Sequence, residues 1–381
     1  MSDDSQPIHT DTFSFLHNED SLKERLVSAH KKAQEKFPFL ARIAVALYDS
    51  ETAILKTFLH SSGEDNPIEH YQTHIDNAHS LKRILDEGRP RVINNMLTFE
   101  EDSNQHTQRI GRQGYAASYT LPIFHNGIFF GFLFFNSYEK DVFTETVLSE
   151  LDLYGHMISL MIISEMSAIN TLTAALKTTG HITHLRDPET GSHLDRMSRY
   201  SRLIASALAD RYQLDDDFIE HVYMFSPLHD IGKIAIPDGI LLKDSNLTEN
   251  EMEIMKTHTT SGLNMINDLL INFGLSNISH TEILQNIALS HHEKMNGTGY
   301  PEQKAGEDIP LEARIVAVAD IFDALTSKRP YKEAWSNQDA FNLLQELSGE
   351  ELDAACVNAL IENKDEVIEI QRQFQESSSY G

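Results

Sequence analysis

Five short stretches of this chain carry imidazole and carboxylate side chains at spacings that suit metal ions. In His229-Asp230-Ile231-Gly232-Lys233 an imidazole adjoins a carboxylate, and a lysine follows. Such a pair can bridge two metals or serve neighbouring ones, and Lys233 adds a cation suited to a phosphate oxygen. The flanking Phe225, Leu228 and Ile231 predict a buried helix here. Burying His, Asp and Lys unpaired is costly, so either metal coordination or a buried His–Asp hydrogen bond must relieve the cost. His291-His292-Glu293 offers two adjacent imidazoles. Neighbouring helical residues point about 100° apart, so this pair suits two metals better than one. Glu189 and His193, four apart, share a helix face or meet at a loop–helix junction. His258 follows Ile254-Met255-Lys256-Thr257, and Asp320 sits in the apolar run Ala317-Val318-Ala319-Asp320-Ile321-Phe322-Asp323. A carboxylate in such a run is not a solvated surface charge. With 19 histidines in the chain, a lone one says little. The case rests on several donor clusters in one region, which together suit metal coordination, with Lys233 suited to a phosphate oxygen nearby.

The elements that must position these groups are helices. After about residue 180 the pattern is helical to the end, with polar loops and no convincing strands, which predicts an all-α domain. Before it, strands and helices alternate. A helix is predicted over Ser21–Lys36, stopped by Phe37-Pro38, and strands over Ala41–Tyr48 and Ala53–Leu59. A helix over Ser80–Glu87 is stopped by Gly88-Arg89-Pro90, and Arg91–Asn94 is a short strand candidate. The clearest hairpin is Ser118–Phe124 and Ile128–Phe135, joined at Asn126-Gly127, which supplies the positive φ angles of a tight turn. Its second arm is almost wholly apolar and reads as a central strand covered on both faces. Its five phenylalanines read as core, not as a ligand box. From Thr144 to Gly180 a long helix is predicted. Leu151, Tyr154, Ile158 and Met161 form a stripe that Glu165 breaks, and Met166, Ile169, Leu172 and Leu176 resume in a shifted register. Such a stripe pairs two chains as a parallel helix or packs on its own domain, and the residues alone do not choose.

Bulk properties exclude some functions. The formal charge is −27, from 31 basic and 58 acidic residues. That surface repels phosphate polymers, so polymeric nucleic acid is not an expected partner. A small anionic ligand remains compatible, because metals and a few local cations reverse the field within one pocket. A single cysteine, Cys356, forbids an intrachain disulfide and reads as a buried filler. The polar, acidic first 20 residues read as a flexible tail without a signal-peptide pattern. Met157–Ile163, the most apolar helical run, is too short to cross a bilayer, so no membrane span is expected. A cytoplasmic location is the expectation.

The order His-Asp, His, His-His and Val-Ala-Asp resembles the HD superfamily of metal phosphohydrolases. Gly299-Tyr300-Pro301 after His291-His292, then Ile309-Pro310-Leu311-Glu312-Ala313-Arg314-Ile315 and Asp323-Ala324-Leu325-Thr326-Ser327-Lys328-Arg329-Pro330-Tyr331-Lys332, narrow this to the HD-GYP family. The resemblance covers about residues 168–372. It implies a metal-dependent phosphodiesterase that cuts a cyclic dinucleotide, with cyclic di-GMP as substrate and pGpG or GMP as product. Carried over by position, the implied metal ligands are Glu189, His193, His229, Asp230, His258, His291, His292 and Asp320. Lys233, Arg329 and Lys332 fall on phosphate-contacting positions, Tyr300 lines the site, and Asp230 with Lys233 carries the catalysis. Glu189 resembles the subgroup holding three divalent ions rather than two, and mixed imidazole and carboxylate donors suit iron or manganese.

Residues 25–165 resemble a GAF domain by element order and central hairpin. The expected fold is therefore multidomain. Residues 1–20 are a tail and 21–165 an α+β GAF-like sensory module for an unknown small ligand. An overlapping helix, 145–180, connects it to an all-α HD-GYP bundle at 168–372 and pairs two chains as a homodimer, and 373–381 are a second tail. One departure stands out. Many family members have Trp-Asp before Gly-Thr-Gly-Tyr-Pro, where this chain has Met295-Asn296. That opens a second substrate, 3′,3′-cyclic GMP-AMP. A third reading is a non-catalytic module that binds metal or nucleotide and signals through protein contacts, although such modules usually lose ligands.

Overall fold

The computed structural model describes residues 11–17, 20–62, 70–96, 113–184, 191–273, 275, 279–327 and 333–375. The chain divides into two compact units, Met1–Met166 and Ser167–Gly381.

In the first unit, helix α1 (Leu22–Lys36) begins with a capping box. Ser21 accepts from the Glu24 backbone N–H, and the Glu24 carboxylate accepts from that of Ser21. The helix ends at Lys36 and leaves Phe37, the residue before Pro38, outside it, as the pre-proline restriction requires. Among the described residues six strands follow: β1 (Leu40–Asp49), β2 (Ile54–Ser62), β3 (Gln72–His74), β4 (Arg91–Ile93), β5 (Ala117–His125) and β6 (Ile128–Ser137). Helix α2 (His79–Glu87) lies between β3 and β4 and ends on a left-handed Gly88. The strands form one antiparallel sheet in the order β3-β2-β1-β6-β5-β4. The β5–β6 turn is the expected one, with φ of 51° at Asn126 and 80° at Gly127.

Strand β6 is central, paired with β1 and β5, and its two faces are both covered. Ala44, Ala46, Phe132 and Phe134 pack with Leu81 and Ile84 of α2. On the other face Leu121 and Phe135 meet Gly155 of helix α3 (Glu145–His184) so closely that a Cβ there would lie 2.8 Å from Leu121 Cδ2. Burial on both faces is why β6 lacks polar alternation. Part of the segment read as a tail is folded instead. Ser14–His17 form a 3-10 turn, Phe15 is buried, and the Phe13 ring packs edge-on against Tyr154. Residues 1–10 and 376–381 lie outside the described residues.

Helix α3, 40 residues long, crosses the division between the units. Leu151, Ile158 and Met161 are buried, so that part of the stripe packs on its own unit, while Leu172 and Leu176 lie outside the described side chains. Counting only Met157–Ile163 understated this helix. Its stretch Glu145–Thr171, 27 residues, is long and apolar enough to cross a membrane by length and composition. Within the unit, Asp152 accepts from the Tyr119 hydroxyl and Glu165 pairs with Arg25. Those polar partners are what a helix packed on a sheet displays.

The second unit is helical, with no named strand among the described residues. Its longer helices are α4 (Gly191–Ala207), α5 (Asp216–Phe225), α6 (Glu249–Lys256), α7 (His258–Asn272), α8 (Thr281–Ser290), α9 (Leu311–Thr326), α10 (Asn337–Leu347), α11 (Ala354–Glu362) and α12 (Lys364–Gln373). Met197, Tyr200 and Ile204 of α4, Val222 and Phe225 of α5, and Ile315, Val318 and Phe322 of α9 are core residues. Helix α9 is buried along most of its length, which explains how apolar its sequence is. Cys356 on α11 is buried, as read.

Candidate metal centre

The His229-Asp230 pair does not lie on an α-helix. Helix α5 ends at Phe225, a 3-10 turn covers Ser226–Leu228, and a second begins at Ile231. Pro227 is the cause, since it lacks the N–H that would continue the α5 ladder. The pair is thus presented on a tight bend. Gly232 then seats that bend on the start of α7. A Cβ at Gly232 would lie 1.8 Å from the carbonyl oxygen of His258 and 2.5 Å from Gly262 N. Only glycine allows this approach, and it sets Asp230 beside His258. His291 and His292 follow the last residue of α8, His193 is near the start of α4, and Asp320 comes from the middle of α9.

Every candidate ligand but one is described, and they gather into two adjoining groups. Asp230, His258, His291 and His292 have donor atoms within 4.8 Å of one another, and so do His193, His229 and Asp320. The groups touch through His229, whose Nε2 lies 3.2 Å from Asp230 Oδ2 and 3.8 Å from Asp320 Oδ1. The two adjacent imidazoles therefore share a group rather than dividing between two. The helix has ended at Ser290, and their ring centroids are 4.1 Å apart, both facing Asp230 and His258. Glu189, Arg329 and Lys332 lie outside the described residues.

The polar atoms fit divalent cations. Nδ1 of His229, His258 and His291 donates to the carbonyls of Ser226, Met255 and Ile287 at 2.9, 2.8 and 2.9 Å. Each Nε2 is then the ring nitrogen turned towards the site. Yet His258 Nε2 lies 3.1 Å and His291 Nε2 3.6 Å from Asp230 Oδ1. These three atoms are buried and have no hydrogen-bond partner. A divalent cation held by them would satisfy all three by coordination. Burial, with neighbouring imidazoles, pushes the His291 and His292 pKa values down, so both rings are neutral and able to bind metal. Burial alone would raise the Asp230 carboxyl, but Lys233, His229 and His258 outweigh it and hold the group well below its usual range.

Lys233 Nζ lies 2.8 Å from Asp230 Oδ2 and keeps partial exposure at the rim. Tyr300 tilts over His292, with ring centroids 4.8 Å apart. Its loop is anchored by the Tyr300 N–H donating to His292 O at 3.2 Å and by Glu293 Oε1 accepting from Glu302 N at 2.7 Å. Gly299 lies against Glu293, where a Cβ would come 2.5 Å from Glu293 Cα.

Sequence reasoning quoted Asp323 but gave it no role. The structure buries it completely, with Oδ2 2.7 Å from His193 Nδ1 and both oxygens held by Arg196 at 2.6 and 2.9 Å. Those bonds overcome the desolvation that would raise its pKa and lower it to about 2. The signal was present, since Asp323 lies three residues after Asp320 on one helix in an apolar run, but its partners are on α4.

Residues 187–356 match the HD domain family model. That match lies within the C-terminal unit. The cyclic di-GMP phosphodiesterase response regulator RpfG of Xanthomonas campestris pv. campestris is 43% identical over 194 residues, 51% of this chain and 48% of that protein. The 3′3′-cGAMP-specific phosphodiesterase 2 of Vibrio cholerae is 38% identical over 185 residues, 49% of this chain and 33% of that one. The matched region thus spans half or less of each relative. The GAF domain of an Acinetobacter phosphoenolpyruvate-protein phosphotransferase is a similar solved structure, with a TM-score of 0.34 and 12% identity over 41% of this chain and 90% of that domain.

Proposed function

We propose that this protein is a metal-dependent cyclic di-GMP phosphodiesterase under the control of its GAF-like unit. The observation that carries this reading is the convergence of His193, His229, Asp230, His258, His291, His292 and Asp320 into adjoining donor groups. We assign two or three divalent ions to them, iron or manganese, with Glu189 as the ligand of a third. When bound, such ions supply a nucleophilic water at neutral pH and positive charge for the phosphoryl oxygens. The chain's own residues supply the rest. Asp230, kept anionic, joins the two donor groups. Lys233 holds its ammonium where a phosphoryl oxygen can replace solvent around it, and a donor so placed stabilises charge that develops in the transition state. Arg329 and Lys332 are assigned the remaining phosphoryl contacts. Tyr300 offers an aromatic face beside His292, suited to orienting a nucleotide.

The test is to purify the chain without oxygen, count metals per chain, and follow cyclic di-GMP by chromatography. Linear pGpG or GMP should accumulate, and Asp230→Ala should lose both metal and turnover. Full activity in that variant, or nucleotide binding without turnover in metal-loaded wild type, overturns the reading.

Two observations support a second substrate, 3′,3′-cyclic GMP-AMP. Met295-Asn296 replaces an aromatic and a carboxylate beside the site loop, and one of the relatives above is specific for that dinucleotide by name. Side-by-side turnover of both dinucleotides decides between them. A homodimer through α3 and a cytoplasmic location complete the proposal. Leu153 and Leu160, exposed and seven residues apart on α3, support the dimer, and sedimentation of the full chain tests it.

A further inference from the structure

A third donor group lies apart from the metal centre. Asp217 and His221, one turn apart at the start of α5, and His280, just before α8, have donor atoms within 4.8 Å of one another. Asp217 is 2% and His221 1% exposed. The arrangement repeats that of the metal centre in two details. His221 Nδ1 donates to the Asp217 carbonyl at 2.8 Å, as His291 does to Ile287 one turn earlier, leaving Nε2 as the basic nitrogen. That Nε2 is buried and makes no hydrogen bond, while Asp217 Oδ1 lies 3.2 Å from His221 Nδ1. His280 Nε2 lies 3.1 Å from Asp217 Oδ2, the separation found between His258 Nε2 and Asp230 Oδ1. On its other side, His280 Nδ1 lies 3.4 Å from Glu282 Oε1. A carboxylate behind a histidine is the usual way of orienting a metal-bound ring.

We propose that Asp217, His221 and His280 bind one divalent transition-metal ion, zinc by donor type, at a site distinct from the metal centre. Two imidazoles and a carboxylate, completed by a water, make a zinc donor set. In tetrahedral zinc with ligands at 2.0–2.1 Å, neighbouring donors are about 3.3 Å apart, close to the 3.1 Å between Asp217 and His280. The partly exposed His280 leaves the ion a way in from solvent.

The site's role follows from where it sits. Helices α5 and α8 are 10 residues each, about 15 Å long. Asp217 and His280 meet at their N-terminal ends, while His229 and His291, just beyond their C-terminal ends, have ring centroids 5.1 Å apart. The two helices therefore run side by side in one direction, joined at one end by this group and at the other by the metal centre. An ion at the far end fixes the register of the helices that deliver His229-Asp230 and His291-His292.

The experiment strips the full chain with chelator, adds zinc alone, and counts ions per chain. His280→Gln keeps an N–H donor for Asp217 while removing the ligand. It should bind one ion fewer than wild type with an unchanged circular dichroism spectrum, and His221→Gln should do the same. Cobalt gives a second reading that does not depend on turnover. The Asp230→Ala chain should show the visible absorption of four-coordinate cobalt, and adding His280→Gln should abolish it. Equal ion counts in wild type and His280→Gln, or the same cobalt spectrum with and without His280, would mean a hydrogen-bonded Asp–His–His network only, and would overturn the proposal. Should His221→Gln fail to fold, the partly exposed His280 decides the matter alone.

Discussion

Asp323 Oδ2 lies 2.7 Å from His193 Nδ1, and this bond determines which nitrogen of His193 faces the metal centre. The carboxylate lies on α9, the imidazole on α4, and Arg196 on α4 completes the buried cluster. His193 is thus oriented by a carboxylate, where His229, His258 and His291 are oriented by backbone carbonyls.

Replacing Asp323 with Asn keeps the shape but removes the charge behind His193. Changes of this kind cost about 10–100-fold in metal affinity, and a competition titration against a chelator measures it. Asp323→Ala also removes the carboxylate paired with the buried Arg196 guanidinium, which should cost roughly 3–5 kcal/mol of stability. Wild-type metal affinity in Asp323→Asn would show that the bond does not matter to the site.

Gly232→Ala should separate Asp230 from His258. Its Cβ would collide with the His258 carbonyl, and overpacking of this kind costs about 1–3 kcal/mol. The control is Gly239→Ala, where nothing lies within 4 Å of the added carbon. Thermal unfolding and metal content of the two variants should diverge, with only Gly232→Ala affected.

Lys233→Ala should retain the metals and lose rate. Removing one donor aimed at developing charge costs about 10²–10³ in kcat. Steady-state kinetics beside metal analysis checks this, and parallel loss of metal would reassign Lys233 to holding Asp230 in place.

His30 makes the N-terminal unit sensitive to acid. It is buried, with Nδ1 2.8 Å from Ser61 Oγ and Nε2 3.1 Å from Leu40 O, and burial lowers its pKa despite the Leu40 bond. The folded chain therefore takes up the proton less readily than the unfolded one, whose value is about 6.5. The stabilisation is full above that pH and declines as pH falls through it towards the folded value. Amide protection factors in α1 and β2, which allow for the slower intrinsic exchange in acid, should fall between about pH 7 and 5, and His30→Gln should flatten the trend; an unchanged trend in that variant would place the acid sensitivity elsewhere.

Much was legible in the sequence because it depends on local rules. The Asn126-Gly127 turn, the stop of α1 before Pro38 and the all-helical second half each follow from a few adjacent residues. The donor residues were legible by type and order along the chain. The bend at Pro227 could also have been read, yet the apolar flanks Phe225, Leu228 and Ile231 pointed to a continuous helix.

What only the tertiary structure decided is which donors share a group and what stands behind each. His193 and Asp323 are 130 positions apart, and the gap between α4 and α9 is set by packing of Tyr200 against Phe322, with ring centroids 5.3 Å apart. The close seat of Gly232 on His258 likewise joins two segments whose sequences do not refer to each other. Spacing along a chain reports the geometry of one helix or turn. Distances between helices come from side chains packing across them, and those distances turned a list of histidines and aspartates into a centre.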